Sequence, residues 1–224
     1  MGAESEKFLT QLSEKNRVLL LGGLAIIAHG LSRTTEDADV WLDSTLPLND
    51  WLKSLAEDLP VEGYYWDLLN RQRVAGTAVG EVIQGLGVVR IGGLDRYVDV
   101  FRKPNELTEE DFEAAWKISR PHLGKIRLLD ETFLIVTKEN SERQRDRTDI
   151  SFLESKLRTE MSGRLAVCNA QEAVALFDRY IDHVTCEAAL TNPDPEVKEL
   201  GLSGLRELAA DGNPFALAAL KKME

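Results

Sequence analysis

The segment Arg33-Thr34-Thr35-Glu36-Asp37-Ala38-Asp39, which continues into Val40-Trp41-Leu42, decides the fold and the chemistry predicted for this chain. Val40, Trp41 and Leu42 favour a β-strand, and strand residues two apart project from the same face. Asp37 and Asp39 should therefore point at one spot. Two carboxylates held close together are costly unless a cation neutralises them, and oxygen ligands without nearby sulfur or imidazole suit Mg²⁺ better than Zn²⁺. The segment thus predicts a strand that carries a divalent-cation site.

A third carboxylate, Asp99, lies in a second strand-like run at residues 96–101. Gly92-Gly93 joins this run to the apolar segment 86–91, which predicts a β-hairpin whose second arm carries Asp99. An isolated Asp among Val and Phe needs a partner, because an unpaired buried charge is expensive. Asp99 is therefore the natural third metal ligand.

A glycine pair supplies the other half of the predicted site. Gly22-Gly23 follows the apolar run 17–21 and precedes the apolar segment 24–29, which predicts a strand, a tight turn and a helix. This order leaves backbone amides open to close approach by a phosphate. Arg33 would add a forked cationic donor and Thr35 a hydroxyl, both aimed at phosphate oxygens.

The glycine pair followed by R-x-T-x-D-x-D from Arg33 to Asp39 resembles the signature of the polymerase-β-type nucleotidyltransferase superfamily. The resemblance is to its small bacterial members, which include the aminoglycoside nucleotidyltransferases and the toxin-type nucleotidyltransferases of the abortive-infection class. It extends over residues 17–155 and includes Asp99. Many relatives have Gly-Ser where this chain has Gly22-Gly23, so phosphate contacts at that point would fall to backbone amides.

The resemblance implies transfer of a nucleoside monophosphate group from a nucleoside triphosphate to a hydroxyl acceptor, with release of pyrophosphate. Two Mg²⁺ ions, which Mn²⁺ can replace, would be held by the three carboxylates. Asp37 and Asp39 would bind both ions, while Asp99 would bind the catalytic ion and is a candidate base. The implied catalytic residues are therefore Asp37, Asp39 and Asp99.

The later segment 138–149 is the weakest part of the resemblance. In the toxin-type group a helical lysine precedes an R-D-x-x-D-like motif, which corresponds here to Lys138 and the run from Arg145 to Asp149. Lys138 would then bind the triphosphate together with Gly22, Gly23, Arg33 and Thr35, and Asp146 would be an accessory residue. The alternative is a solvent-exposed, salt-bridged helix face over residues 143–149.

Each of these features also has a plainer explanation. Two Asp residues on a strand often belong to a solvated face, Gly-Gly is often a turn, and Arg33 can pair with Glu36. Their occurrence together and in the right order favours a nucleotidyltransferase site. The alternative function is a catalytically silent module that binds a nucleotide or a partner protein, as one half of a toxin–antitoxin pair.

Composition limits the acceptor and the location of the protein. The chain has 224 residues, a formal charge of -11 and a pI near 4.9. This charge argues against an extended nucleic-acid footprint, which requires neutralisation of phosphates, and it favours a small-molecule or protein hydroxyl over tRNA as acceptor. Two cysteines, the absence of a signal-peptide core in residues 1–15 and the absence of a membrane-spanning run predict a cytoplasmic location.

We predict an α/β (α+β) architecture, with a mixed-sheet nucleotidyltransferase core over residues 1–128 and a C-terminal all-helical domain over residues 129–224. Residues 61–101 are rich in glycine and β-formers and should complete the sheet. Residues 170–190 show long helical periodicity, which predicts a long helix. The last helices, after Asn192-Pro193, resemble a HEAT-type pair, which is either a packing appendage or a surface for a protein partner.

Overall fold

Strands and helices alternate along the first part of the chain in the computed structural model, which describes residues 3–59, 63–70 and 72–223. The described elements up to Val136 are α1 (Ala3–Lys15), β1 (Val18–Leu21), α2 (Gly22–Ala28), β2 (Asp37–Leu42), α3 (Leu48–Glu57), β3 (Tyr65–Asp67), β4 (Arg73–Val74), α4 (Val79–Leu86), β5 (Val88–Gly92), β6 (Tyr97–Phe101), α5 (Asp111–Ile118), β7 (Arg120–Pro121), β8 (Arg127–Leu128) and α6 (Glu131–Val136).

The described strands form one mixed sheet in the order β4-β3-β5-β6-β2-β1-β8-β7. Strands β2 and β6 are parallel, as are β1 and β8, whereas the other neighbouring pairs are antiparallel. The hairpin predicted on either side of Gly92-Gly93 is present as β5 and β6. Together with the helices that follow, this sheet confirms the predicted fold class.

Strand β2 is fixed in the sheet by apolar packing on both faces beyond Asp39. Val40, Trp41 and Leu42 are completely buried. The Trp41 ring meets the edge of Phe112 with a centroid distance of 5.2 Å, and its indole N–H donates to the Arg102 carbonyl at 3.1 Å. Because a shift by one residue would exchange the two faces of the strand, this packing sets its register. The acidic end of β2 is thereby held in place.

Residues 61–101 complete the sheet as predicted, with β3, β4, β5 and β6, but they also contain the helix α4 (Val79–Leu86) between β4 and β5. Val79 and Ile83 are buried whereas Glu81 between them is exposed, which fits a helix, because in a strand all three would lie on the same face. Within the segment 61–101, residues 61, 62 and 71 lie outside the described part of the chain.

The prediction for residues 170–190 was wrong, because they form two helices instead of one long helix. The helices of the second part are α7 (Gln144–Leu165), α8 (Ala170–Arg179), α9 (His183–Leu190), α10 (Pro195–Ala210) and α11 (Pro214–Lys221). The break falls before Asp182, which begins α9 with a capping box: its carboxylate accepts from the Thr185 amide at 2.9 Å. A capping aspartate of this kind favours a helix start over helix continuation.

The chain divides into two compact units, Met1–Ile150 and Ser151–Glu224. In the second unit a small core forms around Cys186, Leu205, Ala216 and Ala219. The predicted domain boundary between residues 128 and 129 stays a prediction; the last described strand, β8, ends at Leu128. The HEAT-type character of the last helices also stays a prediction. No helix in the described part of the chain has the length and apolar character that a membrane span requires.

Candidate functional site

The sheet brings three carboxylates to one place. In the parallel pair β2 and β6, Asp39 lies directly opposite Asp99, and Asp37 lies two residues before Asp39 on the same face. One carboxylate oxygen from each of the three residues lies within 4.8 Å of the others. Asp99 is buried, with 3% of its surface exposed, whereas Asp37 and Asp39 are half-buried. The cluster has the ligand type and spacing that the sequence predicts for a divalent-cation site.

All the residues predicted for the site line a single cavity of about 270 Å³. The cavity also contains three arginines that the sequence analysis did not assign to the site, namely Arg90, Arg143 and Arg145. The predicted residues in its lining are Gly22, Gly23, Arg33, Thr35, Asp37, Asp39, Asp99, Lys138 and Asp146.

The two glycines allow the site side chains to approach the backbone. Gly22 has a φ of +61°, a left-handed conformation that favours glycine, and a Cβ there would overlap the Asp39 carboxylate. A Cβ on Gly23 would overlap the Arg33 guanidinium and lie 2.6 Å from the Thr35 hydroxyl oxygen. The sequence predicts that a phosphate approaches the backbone at the two glycines. The structure shows that part of the space there belongs to Asp39, Arg33 and Thr35.

Replacement of Gly23 by alanine is therefore expected to displace Arg33 and Thr35 and to weaken triphosphate binding by at least about tenfold, or about 1.4 kcal/mol. Calorimetric titration with each nucleoside triphosphate measures this change. Gly85→Ala is the matched control, because Gly85 is exposed in a helix and a Cβ there meets no atom within 4 Å. The control should leave affinity unchanged and add roughly 0.5–1 kcal/mol of stability. Equal affinity of both variants would mean that the glycines only shape the turn.

Arg33 has the character of an anion-binding group. Its side chain is 13% exposed, and Nη1 lies 3.3 Å from the Asp149 carboxylate. The Nε and Nη1 atoms are nevertheless buried without a hydrogen-bond partner in the described structure. Orphaned guanidinium nitrogens beside a cavity are unusual, since buried polar groups are nearly always paired. Phosphate oxygens in the cavity would be suitable acceptors for them.

Lys138 lines the cavity with its charge already balanced. It lies in the turn after α6 and not within a helix, and its ammonium contacts the carboxylates of Asp146 at 2.7 Å and Asp149 at 3.0 Å. Both aspartates are buried, so the solvent-exposed face considered for residues 143–149 is wrong for them. Burial alone would raise the pKa of the Asp146 carboxyl, but the hydrogen bonds from Lys138 and Ser141 outweigh this effect and lower it. These charges form a fixed wall of the cavity.

The acidic cluster is electrostatically strained. Burial, followed by repulsion from Asp37 and Asp99, raises the pKa of the Asp39 carboxyl to about 7. Burial also raises the pKa of Asp99, although the guanidinium of Arg90 opposes this effect. A divalent cation would relieve both effects, and hard carboxylate oxygens without sulfur or imidazole fit Mg²⁺ or Mn²⁺. The residues present therefore suit the metal that the sequence predicts.

This raised pKa predicts a specific pH dependence of stability. The Asp39 pKa lies near 7 in the folded protein and near the ordinary 3.8 in the unfolded chain. Between these values the folded state binds more protons, so the metal-free protein should lose stability as pH rises from about 4 to about 7, by a few kcal/mol. Metal binding requires the ionised carboxylate, so Mn²⁺ should raise the melting temperature more at pH 8 than at pH 5.5.

Thermal melts of the metal-free wild type and of Asp39→Asn across this pH range measure the effect. Asp39→Asn should be more stable than the wild type at pH 8. Its melting temperature should also change less with pH, because the raised pKa of Asp39 is then absent from the cluster, whereas that of Asp99 remains. Identical slopes for the two proteins would show that the Asp39 carboxyl titrates normally.

Arg90 is the main site residue that the sequence analysis missed. It lies directly opposite Asp99 in the antiparallel pair β5 and β6. Its Nε donates to Asp99 Oδ1 at 2.6 Å and its Nη2 to Asp99 Oδ2 at 2.7 Å, while Nη2 also lies 3.5 Å from Asp37 Oδ2. The available signal was a charged residue inside the apolar run Val88-Val89-Arg90-Ile91, across a predicted hairpin from Asp99.

Comparison with known proteins shows a likeness to solved structures. No protein-family model matches the sequence, and no curated protein matches it. Among solved structures, the chain is similar to a crystal structure described as "putative nucleotidyltransferase from H. pylori". The two share 16% sequence identity with a TM-score of 0.40, and the match covers 98% of this chain and 94% of the other. The function assigned to the site therefore depends on its geometry.

Proposed function

We propose that the cavity is the active site of a metal-dependent nucleotidyltransferase, which moves a nucleoside monophosphate group from a nucleoside triphosphate to a hydroxyl acceptor. The observation that carries this proposal is the meeting of Asp37, Asp39 and Asp99 within 4.8 Å in a cavity that also contains the glycine pair. Three converging carboxylates next to groups suited to phosphate are what in-line transfer between two oxygens requires.

The triphosphate is assigned to the side of the cavity formed by Arg33 and the glycine pair. Arg33 offers buried N–H groups without acceptors in the described structure, and the glycines allow close approach to the backbone. The Thr35 hydroxyl donates to Asp37 Oδ1 at 2.8 Å, so in this role it orients a metal ligand. Lys138 contributes positive charge close to Asp39 and needs a change of partner before it can bind phosphate directly.

The reaction forms a bond between the acceptor oxygen and the α-phosphorus and breaks the bond from that phosphorus to the bridging oxygen, so pyrophosphate leaves. Asp37 and Asp39 would hold both metal ions, and Asp99 would hold the ion next to the acceptor and take up the hydroxyl proton. When bound, two Mg²⁺ ions would lower the pKa of the acceptor hydroxyl and neutralise the charge on the triphosphate. Cytoplasmic location and an acceptor of small-molecule or protein type belong to the same proposal.

Cationic side chains are concentrated in the cavity of an otherwise acidic chain. Five cationic and four aspartate side chains are among its described lining residues, in a chain with a formal charge of -11. Cations confined to the cavity would offset the charge of a bound polyphosphate without forming the extended positive surface that nucleic-acid binding requires. The cationic lining residues are Arg33, Arg90, Lys138, Arg143 and Arg145.

The test is to incubate the protein with each of the four nucleoside triphosphates, Mg²⁺ and a panel of acceptors, and to follow pyrophosphate release. The panel contains aminoglycosides, proteins of the host extract, the protein itself and tRNA, and mass spectrometry identifies the modified product. We expect release that stops when a chelator removes the metal. Absence of pyrophosphate with all acceptors, despite measurable triphosphate binding, would refute the transferase proposal.

A second candidate function is favoured by the ion pair of Arg90. Because both Asp99 oxygens accept hydrogen bonds from Arg90, the third carboxylate is occupied by a cation of the protein itself. A permanent pair of this kind is expected of a catalytically silent module that binds a nucleotide or a partner protein. Such a module would bind the triphosphate but would release no pyrophosphate. A protein partner at the C-terminal helices is compatible with either function.

A further inference from the structure

Arg90 covers both carboxylate oxygens of Asp99, the atoms that would bind a metal ion. Its two hydrogen bonds to Asp99 are parallel and short, at 2.6 and 2.7 Å, and the Arg90 side chain is only 11% exposed. The guanidinium also lies 4.9 Å from the centroid of the Tyr97 ring, which belongs to the same strand as Asp99. The contact is thus built into the cross-strand register of β5 and β6.

The pair has two opposing effects on the cluster. Three carboxylates in so small a space repel each other, and Arg90 compensates part of that charge while the metal is absent. A bidentate, poorly hydrated guanidinium is also difficult to displace, because removal of either partner leaves a buried charge unpaired. Asp37 and Asp39 keep oxygens without such a clamp, so the three potential ligands are not equally accessible to a cation.

We propose that Arg90 is an internal counter-cation that competes with the divalent ion at Asp99 and makes metal binding ordered. This inference rests on the proposed nucleotidyltransferase function. Asp37 and Asp39 would hold the first ion, and Asp99 would become a ligand only when Arg90 leaves it. Arg90 is therefore a positioning residue: it keeps the third carboxylate from completing the site until the substrate is bound.

Titration with Mn²⁺ tests the competition without any measurement of activity, because electron paramagnetic resonance measures the free ion directly. Arg90→Gln should bind Mn²⁺ at least tenfold more tightly than the wild type in the absence of nucleotide. The double variant Arg90→Gln/Asp99→Asn should lose this gain. Arg96→Gln is the charge-matched control, since Arg96 donates to the Asp37 backbone carbonyl at 3.3 Å and to no carboxylate of the cluster among its described hydrogen bonds.

The outcomes separate this proposal from the proposed function. Unchanged or weaker Mn²⁺ binding by Arg90→Gln, or an equal gain in Arg96→Gln, would overturn the competition, while transfer by the wild type would leave the function intact. Failure of all variants to bind Mn²⁺, even with a triphosphate, would remove the function as well. Should Arg90→Gln unfold in the absence of metal, Arg90→Lys retains the charge without the bidentate geometry. It should still gain affinity, and an affinity equal to that of the wild type would contradict the proposal.

Discussion

Replacement of Asp99 by alanine is expected to reduce nucleotidyl transfer by at least about a thousandfold, because it removes a ligand and proton acceptor that act in the transition state and contribute several kcal/mol. Binding of the triphosphate should be weakened less than in Asp37→Asn, since Asp37 and Asp39 remain to hold the ion on the triphosphate side. Pyrophosphate release and calorimetric titration of the same preparations measure the two effects separately.

The structure adds a control to this experiment. Asp99→Ala leaves Arg90 without its bidentate partner, and the loss of one member of a buried ion pair costs on the order of 3–5 kcal/mol of stability. Asp99→Asn preserves the shape and part of the hydrogen bonding, and it should be as inactive as the alanine variant while remaining better folded. Turnover of folded Asp99→Asn within tenfold of the wild type would show that this carboxylate is not catalytic.

Replacement of either Asp37 or Asp39 by asparagine is expected to abolish the stabilisation by metal and triphosphate. A ligand present at a hundred times its dissociation constant stabilises the folded state by about 2.7 kcal/mol. For a chain of this size the corresponding shift in melting temperature is about 5–11 °C. Each Asn variant lacks a charged ligand that faces the other two carboxylates, so the shift with Mn²⁺ and triphosphate should disappear.

Glu36→Gln is the control for that experiment. Glu36 is exposed, is next to Asp37 in the chain and is not part of the cavity lining, so its variant changes the charge by the same amount without removing a proposed ligand. It should keep the full shift. Loss of the shift in Glu36→Gln as well would indicate a general electrostatic effect of the acidic segment and would contradict a specific site at Asp37 and Asp39.

The acidic site could be predicted from the sequence because its elements carry local signals. The spacing of Asp37 and Asp39 follows from the strand period, and the hairpin that carries Asp99 follows from its glycines. Pairing of Asp39 with Asp99 was expected only in outline, because the parallel register of two strands distant in the chain depends on tertiary packing. The same lack of local information explains why the sequence did not predict the contact of Arg90 with Asp99.

The predicted and observed secondary structures differ where local sequence signals compete. The segment that contains α4 has enough β-formers to suggest a strand, but Val79 and Ile83 are buried while Glu81 between them is exposed, which fits a helix. In residues 170–190, the long helical pattern hid Asp182, which caps the start of α9 after α8 has ended at Arg179. The burial of Asp146 and Asp149 could not be predicted, because it depends on Lys138 from another element as their partner.

The fates of the α-phosphate and the γ-phosphate, each followed in a separately labelled triphosphate, test the proposed reaction most directly. One sample carries the label on the α-phosphate and the other on the γ-phosphate, each with Mg²⁺ and an accepted acceptor. The proposed reaction predicts that the α-label becomes covalently bound to the acceptor and that the γ-label is released as pyrophosphate, with neither product formed by Asp39→Asn. Transfer of the γ-label to the acceptor, or its release as inorganic phosphate alone, would contradict nucleotidyl transfer at this site.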